Sequence, residues 1–381
     1  MTGTLELTAG SVVGEAAHRA GVDPERFRFR DALDRLTGSL AREGRLTPDG
    51  ARTVRATLVA TLEQQITLDR LIERHPEILA TPVPRPIVIT GLLRTGTTLV
   101  HNLLAQHPGL RVPALWELMN PATERQDQQG YEVLADRAQH YVDEYNKVAP
   151  ELPRIHFLDA RRPDECQRLI GTTFASMVYE MRYRVPSYGA WLRDKDMVEE
   201  YRYHRRQVQA MLWRIPGAPV VLKCPFHLWS LTALAAVYPD ARVIHMHRDP
   251  AETVPSTASL CSVIRRARSE RVDRTEIGHQ WLHRIEPIMT DVEETRRALP
   301  PGQVLDVRYR DLVRDPVAQI ARICAFAGVP MTPAATTGAQ AYLAANSATR
   351  HGRHDYHPAQ FGLDAADLSR RFTAYRETFG C

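Results

Sequence analysis

The sequence predicts an α/β protein with a P-loop-like, doubly wound parallel sheet, preceded by a helical N-terminal extension and interrupted by a helical insertion. Two observations carry this prediction: short apolar runs alternate with helical patterns, and the first run leads directly into a glycine-containing turn. The composition agrees, because 44% of the 381 residues are hydrophobic and 25% are charged. Such a chain is neither extensively disordered nor fibrous.

The extension is predicted from residues 23–80, where apolar residues recur at the three- and four-residue spacing of helices that pack on one another. The clearest stripe consists of Leu33, Leu36 and Leu40. The following segment TPVPRP (81–86) cannot continue a helix, because proline lacks an amide hydrogen and restricts its neighbour. We therefore expect residues 1–85 to form the helical extension.

The sheet is predicted from four short runs that are mostly apolar and do not strictly alternate. They are Ile87–Thr90, Val220–Lys223, Val243–Met246 and Val304–Val307. This pattern is typical of parallel strands covered on both faces. Residues 86–381 are thus expected to form the α/β domain, and the polar, aromatic and helix-rich stretch at about 121–215 is its insertion.

The turn after the first run has the layout of a phosphate-binding loop. Gly91 and Gly96 stand five positions apart and are followed by Thr97 and Thr98 at the start of an amphipathic helix. Nucleotide triphosphatases have a lysine where this chain has Thr97, and the nearest basic residue in the loop is Arg94. An ordinary strand-to-helix turn is the alternative interpretation.

A second anion-binding pattern follows the third run. Arg248 stands at the end of the strand that contains this run, and Ser256 follows eight positions later on a predicted helix. A guanidinium at the end of a strand and a helical hydroxyl suit a phosphate group. The sequence RTGTT (94–98) together with this Arg–Ser spacing resembles sulfotransferases that use 3′-phosphoadenosine 5′-phosphosulfate (PAPS). The stretch at 220–249 is similar to tyrosylprotein sulfotransferases and to bacterial PAPS sulfotransferases.

The resemblance implies that PAPS is the co-substrate and that no metal is required. The residues expected to bind PAPS come from the loop, from the Arg–Ser pattern, from VRYRDLVRDP (307–316) and from the tail after residue 349. They are Arg94, Thr95, Gly96, Thr97, Thr98, Arg248, Ser256, Tyr309, Arg350, Gly352 and Arg353. Tyrosylprotein sulfotransferases have a second arginine after the serine. This chain has Leu260 there, and Arg265 or Arg266 is a possible substitute.

Sulfuryl transfer requires positive charge near the transferred group and a base for the proton of the acceptor. Lys223 matches the lysine that stabilises the transition state in tyrosylprotein sulfotransferases, and Arg94 suits the same charge. For the base, the resemblance favours Glu117, with His156 and His227 as alternatives.

The acceptor is expected to be a hydroxylated small molecule, lipid or glycan. Aromatic residues in the insertion either line an acceptor pocket or belong to the core. The net charge of +4 does not favour a nucleic-acid partner, and the five scattered cysteines predict neither a zinc site nor disulfides. With neither a signal peptide nor a transmembrane run in the sequence, a cytoplasmic location is expected, and the oligomeric state is left open. The alternatives are a P-loop kinase or NTPase and a non-catalytic nucleotide-binding protein.

Overall fold

The strands of this protein form one parallel sheet in the part of the chain that the computed structural model describes, residues 7–217, 219–346 and 356–381. The strands are β1 (Ile87–Gly91), β2 (Val221–Lys223), β3 (Arg242–His247) and β4 (Val304–Arg308). Each coincides with a predicted run to within one or two residues. Their order across the sheet is β2-β1-β3-β4, which confirms the predicted α/β class and the doubly wound sheet.

In this order β2 lies on one side of β1, and the chain then crosses to β3 on the other side of β1. Strand β2 pairs with one edge of β1, and β3 pairs with the other. The register places Ile89 opposite Lys223 and Gly91 opposite Met246. Ligands of open α/β sheets bind at the carboxyl ends of the strands at such a point. The loop after Gly91 therefore leaves the sheet between Lys223 and the end of β3.

Both faces of the sheet are covered, as the lack of alternation predicted. Val88 and Val243 pack into one apolar cluster, whereas Ile89 and Ile244 pack into a cluster on the other side. All five residues of β1 are buried. The sheet is therefore a rigid support for the loop that follows it.

From residue 7 onward, three α-helices precede the sheet: α1 (Ala9–Ala20), α2 (Arg30–Glu43) and α3 (Pro48–Arg74). The last two lie within the helical pattern at 23–80, whereas α1 lies in the predicted extension but outside that pattern. They share an apolar cluster with the helices on the Val88 side of the sheet. Buried Gln65 of α3 donates a hydrogen bond to the main-chain oxygen of Thr172 (2.8 Å). The N-terminal helices are thus attached to the rest of the fold by packing and by a buried polar contact.

The remaining helices connect and follow the strands. Between β1 and β2 lie α4 (Thr97–Leu104), α5 (Leu115–Met119), α6 (Gln128–Val148), α7 (Leu152–Ile155), α8 (Gln167–Ile170), α9 (Met177–Arg182), α10 (Pro186–Arg193) and α11 (Val198–Arg214). After β2 lie α12 (Leu231–Val237), α13 (Pro250–Arg266), α14 (Arg274–Thr290), α15 (Val292–Arg296), α16 (Tyr309–Arg314), α17 (Pro316–Ala327), α18 (Pro333–Ala345), α19 (Ala365–Arg371) and α20 (Thr373–Phe379). Among the helices that the structure describes, none combines the length and the apolar character needed to cross a membrane.

Candidate functional site

The loop after β1 has a backbone suited to an anion. Arg94 and Gly96 adopt positive φ angles of 69° and 91°. A Cβ atom on Gly96 would lie 2.9 Å from the Tyr309 ring, so glycine is required there by space as well as by conformation. Helix α4 begins directly afterwards, and its first amides, those of Thr97 and Thr98, donate to no other described residue. Free amides at a helix start attract negative charge.

Arg94, Arg248 and Tyr309, three of the residues that the resemblance implies for PAPS binding, meet beside this loop. The guanidinium of Arg248 lies over the Tyr309 ring at 4.4 Å and donates to the main-chain oxygen of Arg94 (3.0 Å). It also pairs with Glu252 at 2.8 Å. The side chain of Arg94 donates to the main-chain oxygen of Ile155 (2.7 Å). Burial, with repulsion from Arg248 as a smaller cause, lowers the pKa of Arg94. A bound anion would therefore stabilise the charged guanidinium of Arg94.

For the other predicted binding residues, the structure gives less direct support for contact with a ligand. Thr95 is buried, and its hydroxyl donates to the main-chain oxygen of Leu92 (2.7 Å), so it stabilises the loop. Ser256 is buried on α13, two turns beyond Arg248, and is not among the residues that line the cavities described below. Arg350, Gly352 and Arg353 lie outside the described residues.

Lys223, at the end of β2, is 2% exposed and points to the start of α4. Its Nζ atom lies 2.6 Å from Oε1 of Glu165 and 3.4 Å from Oγ1 of Thr98. The main-chain amide of Cys166 donates to the main-chain oxygen of Lys223 (2.8 Å), which fixes the neighbouring Glu165 against the strand end. Sequence reasoning missed Glu165, whose only signal is an acidic pair, Asp164–Glu165, before a short helix.

Glu117 lies outside the group formed by the loop and Lys223, in a separate cluster of ion pairs. Its carboxylate forms an ion pair with Arg111, lies 3.4 Å from a guanidinium nitrogen of Arg214 and accepts from the amide of Ala114 (3.0 Å). Burial raises the pKa of Glu117, but Arg111, Ala114 and Arg214 outweigh it, and the net pKa is below the ordinary 4.5. Glu117 is 4% exposed and does not line the cavities that contain the loop. The geometry therefore assigns it a structural ion pair and does not favour it as a base.

The two alternative histidines differ in position. His156 lines both cavities beside the loop. Burial lowers its pKa, although the carboxylates of Glu165 and Asp164 oppose this shift. His227 is 1% exposed, and its Nδ1 is 2.7 Å from the Tyr201 hydroxyl in the core. His156 is thus available to a bound acceptor, whereas His227 is not.

Two adjoining cavities surround these groups. The larger, of about 280 Å³, contains the loop, Glu165, Arg248 and Tyr309, and the second, of about 270 Å³, contains Lys223. They share Arg94, Thr98, His156 and Leu158 as walls. Arginine and lysine nitrogens, free amides, a carboxylate and an imidazole therefore converge on one space. Such a set can bind anionic groups and accept a proton.

A group with metal-ligating side chains lies elsewhere, on β3 and β4. Ligand atoms of His245, His247 and Asp306 lie within 4.8 Å of one another. Nε2 of His247 lies 2.8 Å from the Asp306 carboxylate, which also pairs with Arg296 at 3.0 Å. A guanidinium thus already compensates this carboxylate, which disfavours a second cation there.

The fold and the site define a class of protein: a phosphate-loop transferase without the lysine of the nucleotide triphosphatases. The model of the Sulfotransferase family matches residues 86–333, and the chain belongs to this family. This finding confirms the resemblance drawn from RTGTT and from the Arg–Ser spacing.

Similar proteins come from mycobacteria. The chain is 26% identical over 274 residues to proteins named omega-hydroxy-beta-dihydromenaquinone-9 sulfotransferase Stf3, from Mycobacterium bovis and Mycobacterium tuberculosis. That match covers 69% of this chain and 66% of theirs, slightly less than two thirds of the curated relatives.

The crystal structures of sulfotransferases STF1 from M. tuberculosis H37Rv and STF9 from Mycobacterium avium superpose with TM-scores of 0.84 and 0.86. Each is 27% identical to this chain. The superpositions cover 96% and 100% of this chain and 98% of each relative.

Proposed function

We propose that this protein transfers a sulfuryl group from PAPS to a hydroxyl of a small-molecule or lipid acceptor. Membership of the family supports the reaction class. The observation that carries the assignment of the site is the position of Lys223, between the first turn of α4 and the carboxylate of Glu165. This position combines a positive charge, a phosphate-type loop and a proton acceptor within hydrogen-bond range.

The described residues fit PAPS by their charge and by the free amides of the loop. Residues 94–98 would hold the 5′-phosphosulfate, and Arg248 would hold the 3′-phosphate with Ser256. Tyr309, which already stacks on Arg248, would contact the nucleotide. Arg350, Gly352 and Arg353 are proposed to complete the 3′-phosphate site. PAPS supplies an activated sulfuryl group, and its transfer leaves 3′-phosphoadenosine 5′-phosphate (PAP) and removes one proton from the acceptor.

Lys223 and Arg94 would neutralise the negative charge that develops during transfer. Lys223 must exchange its contact with Glu165 for the transferring group, and this exchange leaves the carboxylate without its cation. Glu165 is then a base beside the reacting atoms, so we place the general base there rather than at Glu117. His156, which lines the same cavity, is the second candidate.

The cavity walls favour an acceptor with an apolar body. The larger cavity is lined by Leu152, Val178, Met181, Phe226 and Ile264 in addition to the polar groups. Burial of such side chains against a ligand is favourable at about 25 cal/mol per Å² of apolar surface. The name of the relative Stf3 describes action on a menaquinone derivative, which agrees with a lipid acceptor.

Thermal unfolding with nucleotides tests the donor. A sulfotransferase is stabilised by PAP without Mg²⁺, whereas a kinase or NTPase requires ATP with Mg²⁺ for stabilisation. Labelled PAPS, incubated with panels of hydroxylated lipids, glycans and phenols, then separates an enzyme from a non-catalytic nucleotide-binding protein. Stabilisation by ATP–Mg²⁺ alone would overturn the proposal.

A further inference from the structure

One wall of the larger cavity carries positive charge that the proposed donor site does not use. This wall is formed by residues of α6, α8 and α9. It presents Tyr141, Tyr145, Arg168 and Arg182 to the cavity. Arg94 and Arg248, which we assign to PAPS, belong to the wall formed by the loop and the end of β3.

The arginines of this wall are incompletely neutralised. Arg168 pairs with the buried carboxylate of Asp164 at 2.5 Å. Arg182 is half-buried, and within the described ranges no carboxylate lies within 4.0 Å of it and no hydrogen bond is made by its side chain. Its guanidinium therefore borders the cavity as an uncompensated cation.

A third arginine lies behind this wall. The guanidinium of Arg268 lies 4.8 Å from the centre of the Tyr145 ring and is 8% exposed. Its Nε and Nη1 atoms have no hydrogen-bond partner among the residues that the structure describes. Against the opposing effect of burial, Arg182, Arg168 and Arg268 lower the pKa of Tyr141, which agrees with a position of all three cations near this ring. Of these three guanidinium groups, only that of Arg168 forms an ion pair with a carboxylate in the described part of the chain, that of Asp164.

Apolar side chains adjoin the charged groups. Val178 and Met181 stand on the same short helix as Arg182, and Leu260 and Ile264 line the cavity from α13. Glu165, the proposed base, lines the same cavity. A ligand that fills it therefore meets a reactive site, an apolar surface and an unpaired guanidinium.

From these contacts we infer that the acceptor is an amphiphile that carries, besides its hydroxyl and apolar body, an acidic oxyanion bound by Arg182. The oxyanion is a carboxylate or a phosphate monoester. Arg168 and Arg268 support this site by adding positive charge. The inference rests on the proposed function for the position of the hydroxyl, but the binding of the acidic group does not depend on turnover.

The test is calorimetric binding to the protein saturated with PAP. The probes are ω-hydroxy fatty acids of increasing chain length, their methyl esters and the matching ω-hydroxyalkyl phosphates. We expect the acids or the phosphates to bind about tenfold or more tightly than the esters, as a charge-assisted hydrogen bond requires. The better of the two acidic probes identifies the oxyanion. Equal binding of acids, phosphates and esters would overturn the inference.

Three variants locate the effect. Arg182→Gln should remove the preference for the acidic probe and leave the affinity for the ester and for PAP within about twofold, whereas Arg182→Lys should keep part of the preference. Arg202→Gln removes an equal charge from an exposed ion pair with Glu199 and should change nothing. Circular dichroism verifies that the variants are folded.

The outcomes separate the two proposals. If Arg182→Gln weakens PAP as much as it weakens the acidic probe, the arginines belong to the donor site and the inference is wrong. The same titration is repeated without nucleotide. If wild-type protein then binds the acidic probe through Arg182 but neither binds PAP nor sulfates any acceptor, the inference about the acidic group stands and the proposed function fails.

Discussion

Arg248 donates a hydrogen bond from Nη1 to the main-chain oxygen of Arg94 at 3.0 Å. This contact joins the end of β3 to the loop after β1, so the two predicted anion-binding segments are one structural unit. Arg94, which accepts this hydrogen bond, has a positive φ angle, a conformation that costs a non-glycine residue free energy. The contact therefore helps to hold the loop in shape.

We predict that Arg248→Ala and Ser256→Ala weaken the binding of PAP more than they slow the chemical step. The 3′-phosphate is remote from sulfur, and each charge-assisted contact to it contributes about 1.5–3 kcal/mol. Calorimetry with PAP and single-turnover kinetics measure the two effects. The control is Glu252→Gln, which removes the ion partner of Arg248 and leaves its guanidinium in place. Unchanged PAP affinity in Arg248→Ala would refute the assignment.

Lys223→Ala should reduce turnover by about 10²–10³, because one preorganised electrostatic donor is lost from the site. The affinity for PAP should stay close to that of the wild type, since product no longer carries the transferred group. Lys147→Ala, an exposed lysine on α6, is the matched control and should have wild-type kinetics. A Lys223→Ala enzyme with normal turnover would exclude Lys223 from the chemistry.

Glu165→Gln should lower turnover by about 10²–10⁴ and leave PAP binding nearly intact, because it retains the shape of the side chain and removes its basicity. The acidic limb of the pH–rate profile should flatten. His156→Gln in parallel is the comparison. If His156→Gln loses more turnover than Glu165→Gln, and the acidic limb persists in Glu165→Gln, the base is His156 instead.

Glu117→Gln tests the structural assignment of that residue. We expect a loss of about 3–5 kcal/mol in the free energy of unfolding, because Arg111 and Arg214 lose a buried partner. The pKa of Glu117 is depressed in the folded protein, so the ion pair stabilises it fully above the ordinary value of 4.5. That contribution declines as the pH falls through the depressed pKa.

Denaturant unfolding at several pH values checks this expectation. The stability difference between wild type and Glu117→Gln should be constant above pH 4.5 and should shrink at lower pH. Turnover of the remaining folded variant should be close to wild type. A folded, fully stable but inactive Glu117→Gln protein would return Glu117 to the catalytic site.

Gly96→Ala should destabilise the loop and abolish the thermal stabilisation by PAP. The added methyl group would meet the Tyr309 ring and would also strain a backbone with φ 91°. Gly302→Ala is the control, because Gly302 has a φ of 79° but no atom within 4 Å of an added Cβ. It should lose about 1 kcal/mol of stability and bind PAP normally. Equal effects of the two changes on PAP binding would show that the contact with Tyr309 is unimportant.

Local patterns were sufficient to predict the strands and the loop. Short apolar runs such as Ile87–Thr90 that alternate with helical patterns are best explained as buried strands. The glycines and threonines of the loop all fall within residues 91–98. Helix α1 escaped this reasoning because its buried face consists largely of alanines and it contains Gly10 and Gly14. Such a stripe is a weak signal for a helix.

Glu165, the carboxylate that we propose as the base, was not predictable in the same way. Glu165 lies beside Lys223 because the main-chain amide of Cys166 donates a hydrogen bond to the main-chain oxygen of Lys223. This hydrogen bond joins the insertion to β2 across a long stretch of chain. No spacing in the sequence encodes that contact. Glu117 was favoured by its distance from the first helix, but its partner Arg214 lies 97 positions away and is visible only in the folded chain.

The strand order has a consequence for the choice of donor. Lys223 ends β2 and Arg248 follows β3, and β1 with its loop lies between them. Neighbouring strands are about 4.8 Å apart, so the backbones that carry these two cations are roughly 10 Å from each other across the sheet. The sheet holds these two cationic positions at a fixed separation. This separation suits a nucleotide with anionic groups on both sides of the ribose. A linear triphosphate carries all its charge on one side of the ribose, so we expect ATP to engage only one of these two cationic positions and to bind more weakly than PAP.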